Sequence, residues 1–149
     1  MSKKFTDIEW IEEVINAASI CRLGMVDGDE PYVIPVNFGY ERGFLYFHSG
    51  LKGRKVKLLE KNNKICFEFE TDIDVVNAEN PCESVVQGKS VIGSGTATFL
   101  EDDKDKIHAL NVLMKHYTDK SDYEFSESAL ASVLVVRIAI TSMTGKQIE

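Results

Sequence analysis

The sequence HSGLKGRK at residues 48–55 lies where a predicted strand passes into a predicted helix. A strand-like run at residues 44–47 precedes it, and a helix-like run at residues 56–62 follows it. The start of a helix offers free backbone N–H groups and the positive end of the helix dipole, which together attract an anion. The two glycines let a ligand approach the backbone closely. Ser49 supplies a hydroxyl, and Lys52, Arg54 and Lys55 supply three positive charges. The stretch therefore predicts a phosphate site.

The distribution of charge supports this interpretation. The chain carries a net charge of −7, yet six of its 17 Lys and Arg residues lie at positions 52–64, opposed only by Glu60. The next 24 positions, residues 65–88, hold six acids and no base. A local cluster of this kind favours one anionic group over a polyanion such as nucleic acid. The alternative is a solvated, Lys-rich helix face, and charge alone leaves it open.

Length and composition predict one domain spanning residues 1–149. No apolar run approaches the ~20 residues that cross a bilayer, and no apolar segment follows residues 1–4 as in a signal peptide. We therefore expect a cytoplasmic protein without a membrane partner. The three cysteines, Cys21, Cys66 and Cys82, are far apart, and no Cys or His spacing is typical of a metal site.

Hydrophobic patterning predicts six strands and three helices, mostly in hairpin order. The predicted strands are residues 20–26, 32–40, 44–48, 64–76, 84–100 and 133–140, and the helices are residues 7–18, residues 51–62 and a segment beginning at residue 102. Thr6 and Glu9 fit a capping box, and residues 144–146 fit a turn. Pro35 suggests an edge strand, because proline cannot donate to a sheet. This order favours a mainly β fold, a closed or nearly closed antiparallel barrel with flanking helices.

His48 is the residue best placed to carry chemistry, because it ends a strand beside the predicted phosphate site. A lone histidine beside an apolar strand is also common as a structural residue, so both roles stay open. His108 and His116 are interpreted as surface or packing residues. No catalytic triad, P-loop or zinc motif is present. A phosphate-bearing cofactor that supplies its own reactivity would fit this pattern.

Four segments resemble one known family. They are PYVIPVNFGY at residues 31–40, GFLYFHS at 43–49, GRK at 53–55 and SVIGSGT at 90–96. In this order they resemble the nitroimidazole-resistance (Nim) family of the flavin-binding split-barrel superfamily, which also contains pyridoxamine 5′-phosphate oxidase. The resemblance implies a six-stranded antiparallel split β-barrel that binds FMN at a homodimer interface.

The resemblance also implies roles for individual residues. Arg54 and Lys55, helped by Ser49, would hold the FMN phosphate. Val36 and Asn37 would line the isoalloxazine ring, Phe47 and His48 would flank it, and Ser90 occupies a position that contacts the flavin. His48 would face the substrate and act as the catalytic residue. With Lys52 of the basic stretch, the predicted cofactor-binding set is Val36, Asn37, Phe47, His48, Ser49, Lys52, Arg54, Lys55 and Ser90.

The chain departs from its relatives at two places. Gly88-Lys89 stands where Nim sequences carry an aromatic or acidic pair, and the oxidase's C-terminal Arg and Trp have no counterpart, since Trp10 is the only tryptophan. These departures argue against pyridoxamine phosphate as the substrate and leave reduction of a nitro group open. We expect an FMN-dependent oxidoreductase, nitroreductase-like or related to pyridoxamine 5′-phosphate oxidase, that reduces a small planar acceptor such as a nitro compound. The alternative is a non-catalytic flavin- or haem-binding module with the same fold.

Overall fold

A computed structural model describes residues 3–148 of the chain. Within these residues, one antiparallel sheet contains eight strands: β1 (Lys3–Phe5), β2 (Cys21–Asp27), β3 (Glu30–Val36), β4 (Gly39–Glu41), β5 (Phe44–Ser49), β6 (Lys64–Val76), β7 (Val85–Leu100) and β8 (Leu134–Ile148). Their order is β3-β2-β6-β7-β8-β5-β4, and β1 pairs with β8. The helices are α1 (Ile8–Ala17), α2 (Arg54–Lys61), α3 (Asp103–Thr118) and α4 (Glu127–Ala131), with a 3-10 turn at Pro81–Glu83.

The predicted mainly β, antiparallel architecture with flanking helices is confirmed, whereas the predicted count of six strands is wrong. One added strand is β1, which has only three residues and is too short to show a period. The other arises because strand pairing is interrupted at Asn37 and Phe38, which divides the run at residues 32–40 into β3 and β4. Pro35 lies in β3, which is an edge strand as the proline indicated.

The last strand and the first helix also differ in detail from their predictions. Residues 144–146 continue β8 instead of forming a turn, because they pair with both β1 and β7. A side chain at Gly145 would collide with the ring of Trp10, so glycine there allows α1 to pack on the strand. The cap of α1 is Asp7, whose carboxylate accepts from the backbone N–H of Trp10, instead of Thr6.

Two hydrophobic clusters hold the helices on the sheet. The larger cluster joins α1 and α2 to the sheet through residues such as Ile15, Leu58 and Phe67. The smaller cluster joins α3 and α4 to β5 and β8 through residues that include Tyr46 and Leu110. No helix within residues 3–148 has the length and apolar character needed to cross a membrane.

Candidate functional site

A pocket of about 370 Å³ lies where the edge strand β3, the end of β5 and the start of α2 meet. It is lined by Ile20, Pro35, Val36, Asn37, His48 and Lys55. Its volume falls within the range of about 300–1,000 Å³ typical of small-molecule sites. The structure thus brings together four of the residues predicted from sequence, Val36, Asn37, His48 and Lys55, with Ile20 and Pro35 as additional lining.

The alternation of β5 explains why His48 reaches this pocket. Leu45 and Phe47 point into the larger core, while Tyr46 and His48 point to the opposite face. The helices α3 and α4 cover Tyr46 in the smaller cluster, but His48, two residues further along, remains exposed. The imidazole therefore stands at the rim of the pocket instead of inside a packed core.

The start of α2 has the features of an anion site. Its N-cap is Gly53, with φ of 139°, and no side chain caps the first turn. This conformation favours glycine, and a glycine cap leaves the first backbone N–H groups available to a ligand. The first turn contains no acidic residue, and Lys55 lines the pocket. A phosphate at this point would meet backbone donors, the helix dipole and an ammonium group together.

The other predicted phosphate ligands occupy different environments. The Arg54 guanidinium is 3.2 Å from the Asp27 carboxylate and lies 4.1 Å above the Tyr32 ring. Ser49 is buried, and its hydroxyl donates to the carbonyl of Gly50 at 2.7 Å. Lys52 is exposed in the loop before α2. None of these three residues lines the pocket, so Lys55 is the basic side chain best placed for a phosphate.

Phe47 and Ser90 are not brought to the pocket. The Phe47 side chain is buried in the larger core, because strand alternation directs it away from the face that carries His48. Ser90 is buried on β7, where its register partners are Glu70 on β6 and Lys146 on β8. Since β2 and β6 separate β7 from β3 in the sheet, Ser90 lies outside the pocket, and its flavin contact stays a prediction.

The electrostatics of the pocket favour a neutral His48. Desolvation by the protein atoms on the pocket side of the exposed ring lowers its pKa below the ordinary value of 6.5, and the positive charge of Lys55 lowers it further. A neutral imidazole has one donor and one acceptor nitrogen, so it can both give and take a hydrogen bond. An anion placed between His48 and Lys55 would raise the pKa again and favour the protonated ring.

We expect His48 to destabilise the fold on acidification. Because its pKa is lower in the folded protein, the unfolded chain binds more protons as the pH falls through about 6.5, and the free energy of unfolding decreases there. NMR titration of the His48 ring should give a pKa below 6.5, and this pKa should rise in the Lys55→Ala variant. His48→Gln should remove this part of the pH dependence. A titration at or above 6.5 in the wild-type protein would contradict the assignment.

A hydrogen-bond bridge from α3 holds the wall of the pocket, and sequence reasoning missed it. The Tyr117 hydroxyl donates to the carbonyl of Ser19 at 2.8 Å and accepts from the backbone N–H of Phe38 at 3.2 Å. These two positions adjoin Ile20 and Asn37, which line the pocket. Tyr117 belongs to the apolar stripe of a helix, and its contacts are remote in sequence, so no local pattern indicates this role.

A larger cavity of about 660 Å³ lies beside α3 and contains none of the predicted cofactor-binding residues. Several of its polar side chains are already bound within the protein. The Glu41 carboxylate accepts from the Tyr46 hydroxyl and contacts His108, and Asn111 bonds the backbone of Tyr123. We therefore assign the candidate site to the smaller pocket, where Lys55 and the α2 N–H groups are available.

Comparison with known proteins agrees with the fold and the motifs. A family profile described as pyridoxamine 5′-phosphate oxidase matches residues 7–147. The chain belongs to this family. No curated protein shows significant similarity to it.

Solved structures share the fold of this pyridoxamine 5′-phosphate oxidase family member. A candidate 5-nitroimidazole antibiotic resistance protein from Bacteroides thetaiotaomicron is 35% identical, with a TM-score of 0.89 over 99% of this chain and 88% of the other. The resemblance to nitroimidazole-resistance proteins is thus confirmed.

Two further structures share the fold at lower identity. An FAD- and haem-binding protein from Mycobacterium smegmatis is 20% identical, with a TM-score of 0.88 over 99% of this chain and 74% of the other. An FAD-binding protein from Mesorhizobium loti is 23% identical, with a TM-score of 0.72 over 100% and 99% of the two chains. At these identities the likeness concerns the fold alone.

Proposed function

We propose that this chain is a split-barrel flavoprotein that binds FMN in the pocket between β3, β5 and α2. The observation that carries the proposal is the meeting of Lys55 and the uncapped start of α2 with Val36, Asn37 and His48 in one pocket. The end of the pocket with Lys55 and the free N–H groups of α2 suits a phosphate. The wall made by Val36 and Asn37, at the end of β3, suits a flat ring. Family membership supports the same assignment, and two FAD-binding proteins of the same fold support a flavin in general.

The residues of the pocket divide between the two ends of the cofactor. Lys55 and the first backbone N–H groups of α2 would hold the phosphate, and Gly53 allows its close approach. Ile20 and Val36 offer apolar contact to a ring, and the Asn37 amide offers a donor and an acceptor to its polar edge. Pro35 adds a rigid surface without a backbone donor.

We propose further that the protein is an oxidoreductase that reduces a small planar acceptor such as a nitro compound. FMN, when bound, supplies transfer of a hydride and of single electrons. The chain would position the acceptor and supply a proton from His48, whose exposed ring lies at the pocket rim. Since the pKa of His48 is lowered in the free protein, the nearby phosphate would restore the protonated form on binding.

We also propose a homodimer with the flavin at the subunit interface. The pocket is open on one side, so part of a bound ring would stay in water unless a second chain covers it. The outward face of the sheet next to the pocket exposes Val33 on β3 and Ile92 on β7, which lie on the same side of the sheet through the pairing of β2 and β6. Exposed apolar residues of this kind often mark an interface.

The activity is tested by following the flavin through one reaction cycle. The protein loaded with FMN is mixed anaerobically with NADH or NADPH, and then with a nitroimidazole or a quinone. Reduction and reoxidation faster than with free FMN would support the proposed oxidoreductase, and His48→Gln should slow reoxidation by the nitro compound. Rates equal to those of free FMN would leave a non-catalytic flavin module. A Soret band in place of flavin absorption would identify haem as the ligand instead.

A further inference from the structure

The ends of β6 and β7 form an arm, residues 72–87, that extends beyond the rest of the sheet. In this arm the two strands pair only with each other, through contacts such as Val75 opposite Val86. Among the described residues, β2 pairs with β6 no further than Glu68, and β8 pairs with β7 only from Gly88 onward. Both edges of the arm are therefore free of further strand pairing.

The arm exposes several large apolar residues to water. The exposed fraction of the residue is 60% for Val75, 51% for Ile73, 47% for Val86 and 41% for Val76. A two-stranded hairpin without a packed face is marginally stable, and free apolar edges favour association with another chain. These observations indicate that the arm docks on a surface outside its own barrel.

Charge indicates which surface the arm fits. The arm carries four acids, Asp72, Asp74, Glu79 and Glu83, and no base. Helix α2 is the opposite: Lys57 in its middle and Lys61 at its end are exposed, lie outside the pocket and form no ion pair with any described residue. Leu51, in the loop before α2, has an exposed fraction of 53% and offers an apolar contact at the other end of this surface. The chain thus contains both halves of a complementary pair.

We propose that the arm of one chain docks on the Leu51–α2 surface of a second copy, with Val75 and Val86 against Leu51 and the arm's acids against Lys57 and Lys61. This inference rests on the proposed homodimer and assigns it a contact. In a dimer with two-fold symmetry, the contact occurs twice. Each arm would then lie next to the partner's phosphate end, because α2 also carries Lys55.

Reversal of charge on each side tests the contact. One variant carries Asp74→Lys with Glu79→Lys, and the other carries Lys57→Glu with Lys61→Glu. Each alone should weaken the dimer by about tenfold or more in sedimentation equilibrium, because like charges then face each other. An equimolar mixture should restore the affinity, since in the heterodimer both contacts are again complementary. This restoration also shows that both variants fold.

Matched controls separate the contact from a general effect of charge. Glu101→Lys with Glu124→Lys, and separately Lys104→Glu with Lys120→Glu, make the same changes in net charge at exposed positions on other elements and should leave the dimer intact. Val75→Ser with Val86→Ser removes only apolar surface and should weaken the dimer in the same assay. A wild-type dimer that none of the arm or α2 variants weakens overturns the inference while the homodimer stands. A wild-type monomer at all concentrations overturns both.

Discussion

Lys55→Ala is expected to weaken FMN binding about 10- to 100-fold, whereas Arg54→Ala should weaken it no more than about fivefold. Lys55 lines the pocket at the start of α2, and a hydrogen bond between its ammonium group and a phosphate is of the strong, charge-assisted kind. The Arg54 guanidinium is held by Asp27 and Tyr32 outside the pocket. Fluorescence titration of each variant with FMN measures the two dissociation constants.

Riboflavin, which lacks the phosphate, provides the control for this prediction. Lys55→Ala should leave riboflavin binding nearly unchanged, because only the phosphate contact is lost. Lys57→Ala, on the same helix but outside the pocket, should leave FMN binding nearly unchanged. If Arg54→Ala lost more FMN affinity than Lys55→Ala, the phosphate would lie beside Arg54, on the other side of the start of α2, and the assignment would be wrong.

Gly39→Ala is expected to lower the free energy of unfolding by about 3 kcal/mol. A Cβ atom at this position of β4 would lie 2.5 Å from the backbone nitrogen of Leu113 and 2.7 Å from its Cα. These are backbone atoms of α3, so the helix as a whole must move. Because α3 carries the Tyr117 bridge to the pocket wall, weaker flavin binding should accompany the loss of stability.

Gly50→Ala is the matched control for stability. The atom nearest to an added Cβ there is the Lys52 carbonyl oxygen at 4.0 Å, and Gly50 does not have a positive φ. Its effect should stay within about 1 kcal/mol in urea or thermal unfolding. Equal stability of Gly39→Ala and the wild-type protein would show that α3 does not pack on β4 as closely as described.

Much of the site could be predicted because its residues lie at the ends of strongly patterned elements. The alternation of Ile65, Phe67 and Phe69 with polar residues predicts β6 with the bounds that the structure has, Lys64–Val76. The same patterning predicts the end of β5 and the approach to α2, which carry His48 and Lys55. Glycine at 53 indicated a close approach to backbone donors, and it caps α2 without a side-chain bond.

The other features depend on which face of a strand a residue occupies or on contacts remote in sequence. The family resemblance implies that Phe47 flanks the flavin ring with His48, whereas strand alternation directs the Phe47 side chain into the core. Ser90 was placed from the family pattern, and the sheet order puts its strand away from the pocket. The role of Tyr117 depends on contacts with Ser19 and Phe38, which are far from it in sequence.

We propose above all that the pocket beside the start of α2 binds a flavin through its phosphate. It is tested most directly by titrating the purified protein with FMN and with riboflavin while following flavin fluorescence and absorbance. We expect saturable binding of one FMN per chain, clearly tighter than riboflavin, and weakened by competing inorganic phosphate. FMN that keeps the fluorescence of the free cofactor, with a protein that is colourless after desalting, would contradict the claim.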